Sequence, residues 1–235
     1  MYMDIAILFT HHNNEAVTVN NFNRIKQFNP TKSIYSVGFK NNNLLENSFI
    51  VDDEQEYLPK NFIFGSEAKR KQWTQADLLI YDFIYHNNLP HDKYLIIEWD
   101  TYCNCSIEEF YGEALNKETF GHTVHNPVEE DWNWYRDLTQ EQKNNLAFFG
   151  GYTPTSGLLI SKEILIKINQ LILDNPRKYD NIFSELRLGS LIKIAGHSLN
   201  IPFENSENFM NWNGGKIIFD KTKNGYYHPI KTVIN

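Results

Sequence analysis

The chain has 235 residues, 41% hydrophobic and 22% charged, which suffices to bury an α/β core without disulfide staples. A net charge of −7 argues against non-specific nucleic-acid binding, because neutralising phosphates requires a basic surface. No run of about 18 apolar residues is present, so we expect no membrane span.

The two cysteines indicate the redox state of the compartment in which the protein lies. Cys103 and Cys105 are one residue apart, a spacing at which a disulfide is strained. We therefore expect two reduced thiols in a reducing compartment. The chain also begins without the pattern of a signal peptide, so we expect a cytoplasmic protein.

The N-terminal segment has the pattern of a βαβ unit. An apolar run at 4–9 predicts a buried strand, an apolar helix face follows, and 33–38 predicts a second strand. Strands joined in this way are parallel, and ligands of open α/β sheets bind beyond their carboxyl ends. Thr10 and His11, in a polar loop predicted after the first strand, are therefore candidate contacts for a base or ribose. An ordinary connecting loop is the alternative.

A helix is predicted at 74–86, where apolar residues recur at helical spacing. The basic triplet at 69–71 and Trp73 lie just before it. Because backbone N–H groups and basic side chains at a helix start can hold phosphate, we expect a diphosphate contact around Trp73. A solvated helix face is the alternative.

Residues 94–97 predict a central strand that runs directly into Glu98 and Asp100. Side chains alternate along a strand, so both carboxylates are expected on one side and Trp99 on the other. Two acids this close repel each other unless a cation or a proton lies between them. Carboxylate oxygens suit Mg²⁺ or Mn²⁺, which predicts a divalent-cation site. Two exposed acids at a strand end are the alternative.

The C-terminal half adds further candidates. Ser156 and Gly157 precede a strand predicted at 158–160 and allow the backbone to approach a ligand closely. A later helix begins around 184, where Glu185 is in line with the buried face and Arg187 is expected to point away. Glu185 either favours the helix dipole or serves as a partly desolvated base.

Near the end of the chain, His228 and Lys231 follow a pair of tyrosines. We expect this segment to fold back over a metal-bound diphosphate. A surface histidine is the alternative.

In this order the motifs resemble those of glycosyltransferases of the GT-A fold, in the nucleotide-diphospho-sugar transferase superfamily. The resemblance rests on the βαβ half, the acid-x-acid triplet, the Ser156-Gly157 segment, the acid that opens a late helix, and the final His-Pro-x-Lys. It implies an α/β fold with a Rossmann-type mixed central sheet flanked by helices. It also implies one domain over 1–235, with a nucleotide-binding half at about 1–100 and an acceptor or catalytic half at about 101–235.

The resemblance also implies roles for individual residues. Glu98 and Asp100 would bind Mn²⁺ or Mg²⁺ together with the donor diphosphate, and His228 would complete the metal shell. Glu185 would be the catalytic base of an inverting enzyme. The usual triplet of the family is Asp-x-Asp, and Glu98 departs from it. Either only Asp100 contacts the metal directly, or the protein depends less on a metal.

We therefore expect a glycosyltransferase that moves a sugar from a nucleotide-diphosphate donor to a hydroxyl acceptor, which is a glycan, a lipid-linked molecule or another hydroxyl compound. A lipid-linked acceptor would bring the protein to a membrane surface. One alternative is a nucleotidyltransferase, although residues 10–14 lack the glycine and lysine usual in its phosphate loop. The other is a non-catalytic nucleotide-sugar-binding protein of the same fold. The stereochemistry of transfer stays open.

Overall fold

The computed structural model describes residues 4–11, 15–39, 45, 48–51, 76–122, 133–152, 157–175, 178–179, 182–210, 220 and 222–234. Trp73 and Ser156 lie outside them, so their substrate contacts stay predictions.

The described residues form strands and helices that are interspersed along the chain. The strands are β1 (Ile5–His11), β2 (Ile34–Phe39), β3 (Ser48–Val51), β4 (Lys93–Glu98), β5 (Tyr102–Cys103), β6 (Thr119–Phe120), β7 (Leu158–Ser161) and β8 (Tyr226–Tyr227). The α-helices are α1 (Ala16–Phe28), α2 (Ala76–His86), α3 (Ile107–Tyr111), α4 (Asn133–Arg136), α5 (Gln140–Asn145), α6 (Lys162–Asp174) and α7 (Ser184–Ile194). Short 3-10 helices lie at Gly112–Asn116 and Ser206–Phe209. Within the described ranges, no helix combines the length and the apolar character needed to cross a membrane.

Among the described residues, a mixed sheet of six strands, in the order β3-β2-β1-β4-β7-β6, forms the centre of the structure. β1 pairs in parallel with β2 and β4, and β2 with β3, whereas β7 is antiparallel to β4 and β6. The predicted βαβ unit is confirmed, as is the α/β class with a mixed central sheet. Because β1, β2 and β4 are parallel, their carboxyl ends lie at one edge of the sheet.

Both faces of this sheet are buried, which explains the continuous apolar runs in β1 and β4. Leu8 and Ile96 face a core shared with α2, α6 and α7. Ile7 and Ile97 face a second core, formed with α1 and residues of the 103–120 segment. Both cysteines lie in this second core as free thiols, as expected.

β1 extends further than the sequence pattern predicted. Thr10 and His11 are buried strand residues rather than loop residues, since Thr10 pairs with Glu98 of β4 and His11 pairs with Gly38 of β2. Gly38 makes the second pairing possible, because a Cβ there would lie 2.7 Å from the His11 ring. The parallel ladder on both sides of β1 therefore overrides the polar character of this stretch. Contact with a base or ribose stays a prediction for both residues.

The prediction that Arg187 points away from the core is wrong. Its guanidinium is fully buried and pairs with Asp77 of α2, with Nε 2.9 Å from Oδ2 and a second contact from Nη2 to Oδ1. Nη1 also donates to the carbonyls of Ile182 at 2.9 Å and Tyr179 at 3.3 Å. A buried charge is tolerated when it is paired, and the periodicity of α7 alone could not reveal a partner on another helix.

Candidate active site

The two acids converge because the chain turns at the end of β4. The Thr101 amide donates to the Glu98 carbonyl at 3.0 Å and closes a turn over residues 98–101. Glu98 is the last residue of the strand, so the strand alternation expected from the sequence does not extend to Asp100. The turn buries Asp100 and leaves Glu98 half-buried.

The C-terminal segment brings His228 to this turn. β8 pairs antiparallel with β5, which follows the turn directly. The Ile230 amide donates to the Asp100 carbonyl at 2.6 Å, and the His228 amide donates to the Phe209 carbonyl at 3.0 Å. The backbone is therefore held on both sides of the histidine.

Glu98, Asp100 and His228 form a cluster of three potential metal ligands. One ligand atom from each residue lies within 4.8 Å of the others. Nε2 of His228 is 2.9 Å from Oδ1 of Asp100 and 3.3 Å from Oε2 of Glu98. The fold thus brings together the three residues predicted as metal ligands, while metal binding itself stays a prediction.

The residues present fit a divalent cation. Oδ1 of Asp100 is buried and lies 2.9 Å from Nε2 of His228. A buried carboxylate requires a positive charge beside it, which either a protonated His228 or a bound cation would supply. Two carboxylates and one imidazole form a mixed oxygen and nitrogen donor set. Such a set suits Mn²⁺ better than Ca²⁺, which prefers oxygen ligands only.

The carboxylates also set the protonation of His228. Burial opposes a charge on the ring, but Asp100 and Glu98 outweigh this effect and raise the pKa of His228 to about 9. At neutral pH and without a metal, an imidazolium therefore lies between the two carboxylates. It supplies in part the positive charge that a cation would bring.

Asn21 supports the acidic turn from α1. Its fully buried side chain donates from Nδ2 to the carbonyl of Trp99, the residue between the two acids, at 3.1 Å. Asn21 is not among the residues predicted from the sequence, although a signal was present. Asn21 is four residues from both Val17 and Ile25, within the buried stripe of α1. A polar residue in such a stripe requires a partner.

Glu185 lies in the first turn of α7, and its surroundings favour the neutral acid. Burial, followed by the negative charge of Glu98, raises the pKa of Glu185 to about 8, while His228 acts in the opposite direction. These interactions show that the carboxyl lies within electrostatic reach of the cluster, although it is not one of the three potential ligands. The Tyr152 amide donates to the Glu185 carbonyl at 3.2 Å. The role of Glu185 as a base stays a prediction.

Gly157 and Lys231 lie in contrasting settings. A Cβ at Gly157 would lie 1.9 Å from the Tyr111 hydroxyl, so the missing side chain makes room for core packing. Lys231 is exposed, three residues beyond His228. Neither observation tests the predicted contacts with a substrate.

Comparison of the chain with known proteins found matches among solved structures only. No protein-family model matches the chain, and no curated protein matches its sequence. Among solved structures, the chain is similar to the galactosyltransferase LgtC, determined in complex with donor and acceptor sugar analogs. The match covers 79% of this chain and 70% of that chain, with 13% sequence identity and a TM-score of 0.42. At this similarity the function has to be argued from the side chains of the chain itself.

Proposed function

We propose that the protein is a glycosyltransferase that uses a divalent cation and a nucleotide-diphosphate sugar. The observation that carries the proposal is the cluster of Glu98, Asp100 and His228, in which two carboxylates and an imidazole place their ligand atoms within 4.8 Å of one another. The cluster follows the carboxyl end of β4, the edge at which open α/β sheets bind ligands. A cation held there would offset the negative charge that develops on the leaving diphosphate.

The donor would lie along this edge of the sheet. Thr10 pairs with Glu98, so the end of β1 adjoins the first of the acids. Thr10, His11 and Trp73 are the proposed contacts to the nucleotide, within a nucleotide-binding half at about 1–100. Ser156, Gly157 and Lys231 are the proposed contacts to the remainder of the substrates, within the half at about 101–235.

Glu185 is the proposed catalytic base. It takes the proton of the acceptor hydroxyl while the acceptor oxygen forms a bond to the anomeric carbon of the donor sugar. The bond between that carbon and the diphosphate oxygen breaks, and the diphosphate leaves with the electron pair. A carboxyl with a pKa of about 8 is a stronger base than an ordinary glutamate once it is ionised. Attack by the acceptor in a single displacement inverts the anomeric configuration.

A thermal-shift screen tests the donor class. UDP-, GDP- and dTDP-sugars are compared with and without Mn²⁺, and CMP-sugars serve as a control because they carry no diphosphate. We expect one diphosphate donor to raise the melting temperature only when Mn²⁺ is present. The purified protein should then hydrolyse that donor slowly, with water as the acceptor. Binding of a donor without any turnover would favour the non-catalytic alternative, and binding of none would contradict the proposal.

The base is tested by a matched pair of substitutions. Glu185→Gln should retain donor binding and lose turnover, because Gln cannot accept the proton. Glu163→Gln is the control, since Glu163 also lies in the first turn of a helix but is exposed and paired with Lys167. A Glu185→Gln variant that keeps its turnover would remove Glu185 as the base.

A further inference from the structure

The buried ion pair of Asp77 and Arg187 has no part in the chemistry proposed above. Both side chains are inaccessible to solvent, and the pair joins α2 to α7. Replacing such a pair with apolar residues of similar volume is often neutral or stabilising. Cohesion between the two helices alone therefore does not account for its presence.

The guanidinium makes further contacts that an apolar side chain could not make. It donates to the carbonyls of Tyr179 and Ile182, which lie in the segment that leads into α7. This helix begins after Phe183, which provides no side-chain cap for the first N–H groups. Arg187 thus holds in place a helix start that lacks the usual local anchor.

Along the chain, Glu185 lies between Ile182, whose carbonyl Arg187 holds, and Arg187 itself. Ile182 is three residues before it, and Arg187 itself is two residues after it. The direction in which the first turn of α7 presents its side chains therefore depends on how the guanidinium holds these carbonyls. Asp77 fixes the guanidinium in turn, with Nε 2.9 Å from Oδ2.

We infer that Arg187, oriented by Asp77, is a positioning residue that aims Glu185 at the site formed by Glu98, Asp100 and His228. The inference rests on the proposed function, in which Glu185 is the base. In this role Arg187 acts through the backbone that carries Glu185 rather than by contact with the substrate or the metal. A misplacement of about 1 Å in a catalytic group can lower turnover about 100-fold, so the effect is measurable.

The test replaces the ion pair with an apolar pair, Asp77→Leu combined with Arg187→Met, and uses the donor found by the thermal-shift screen. We expect a melting temperature close to that of the parent and an affinity for Mn²⁺ alone within about twofold, because the metal cluster lies on the β4 turn and the C-terminal segment. KM for the donor should change little, whereas kcat should fall about tenfold or more. The pH profile of kcat should also shift to lower pH, as the half-buried carboxyl of Glu185 becomes more exposed to water.

Lys93→Met is the matched control. Lys93 is also a buried cation that donates to two carbonyls, those of Leu115 and Lys117, but it lies at the opposite end of β4 from Glu98. Its loss should lower the melting temperature and leave kcat and the pH profile unchanged.

A folded apolar-pair variant with parental kcat and pH profile would overturn the inference. If that variant does not fold, Arg187→Lys decides, since it keeps the charge beside Asp77 but cannot span the carboxylate and both carbonyls. Parental kcat in Arg187→Lys would then overturn the inference. Glu185→Gln separates the positioning role of Arg187 from the proposed role of Glu185 as the base. Loss of turnover there with parental kcat in the Arg187 variants removes only the positioning role, whereas full turnover in Glu185→Gln removes the proposed base itself.

Discussion

Nε2 of His228 lies 2.9 Å from Oδ1 of Asp100, and the backbone of the same two segments is joined by the hydrogen bond from the Ile230 amide to the Asp100 carbonyl. The cluster is therefore built jointly by the turn after β4 and by the end of the chain. Its side-chain geometry depends on a backbone contact that is independent of any metal.

Removal of the Asp100 carboxylate should abolish strong metal binding. Because a change in a residue that merely supports a ligand costs about 10–100-fold in metal affinity, we expect Asp100→Asn to weaken Mn²⁺ binding at least about 100-fold. Calorimetric titration with Mn²⁺ alone measures this. Asp137→Asn serves as the control, since Asp137 is exposed and pairs with Arg136. Equal Mn²⁺ affinities of parent and Asp100→Asn would contradict the assignment of the site.

Asn21 should matter for metal binding through the backbone of Trp99. Asn21→Leu removes the hydrogen bond to the carbonyl between the two acids, so we expect a loss of about 10-fold in Mn²⁺ affinity. Asn169→Leu provides a close match, because buried Asn169 of α6 donates to the Tyr81 carbonyl at 2.8 Å, away from the acidic turn.

Urea unfolding and Mn²⁺ titration of both asparagine variants separate the two effects. Each substitution leaves a carbonyl without its donor and should cost about 1–3 kcal/mol of unfolding free energy. Only Asn21→Leu should also lose metal affinity. A similar loss in both variants would mean that the effect comes from general destabilisation.

Glu185→Gln should stabilise the metal-free protein at alkaline pH. Burial and Glu98 raise the pKa of Glu185 from 4.5 to about 8, so the folded state retains a proton that the unfolded state releases between these values. The contribution to stability is complete below pH 4.5 and is lost as the pH rises to about 8. At about 1.4 kcal/mol per pKa unit, the full shift corresponds to about 5 kcal/mol at most.

Urea unfolding in the presence of EDTA measures this effect. Parent and Glu185→Gln should have similar unfolding free energies near pH 4.5, and the variant should be more stable by a few kcal/mol above pH 8. Glu163→Gln should show no such alkaline gain. A Glu185→Gln curve parallel to that of the parent would show that the carboxyl is not held neutral by its surroundings.

His122 should make the protein sensitive to acid. Burial lowers the pKa of His122 from 6.5 to about 4, so the unfolded state takes up a proton in this interval and the folded state does not. Stability is therefore full above pH 6.5 and is lost as the pH falls to about 4, by up to about 3 kcal/mol.

The comparison variant is His122→Gln, because an amide can replace the contacts to the Tyr111 hydroxyl and the Ser206 carbonyl. Its unfolding free energy should fall less between pH 6.5 and pH 4 than that of the parent. Exposed His86, replaced by Gln, is the control and should follow the parent curve. An equal decline in parent and His122→Gln would assign the acid sensitivity to other groups.

Local chemistry along the chain determined much of the fold. The apolar runs of β1 and β4 indicated strands buried on both faces. In the structure, the apolar residues of both strands are buried. Serine is a typical residue at the start of a helix, and the side chain of Ser161 accepts a hydrogen bond from the Ile164 amide at the start of α6. These features depend on residues a few positions apart, which is the range that propensity and periodicity describe.

The sequence by itself also identified Glu98, Asp100, Glu185 and His228 as candidates, because acids after an apolar strand and a late histidine are visible in the residue order. Only the tertiary structure decided that His228 meets Asp100, that Asn21 holds the turn, and that Arg187 is buried against Asp77. Each of these contacts joins separate elements of the chain. Periodicity reports which face of an element is apolar, but the partner of a buried polar group is fixed by how the elements pack together.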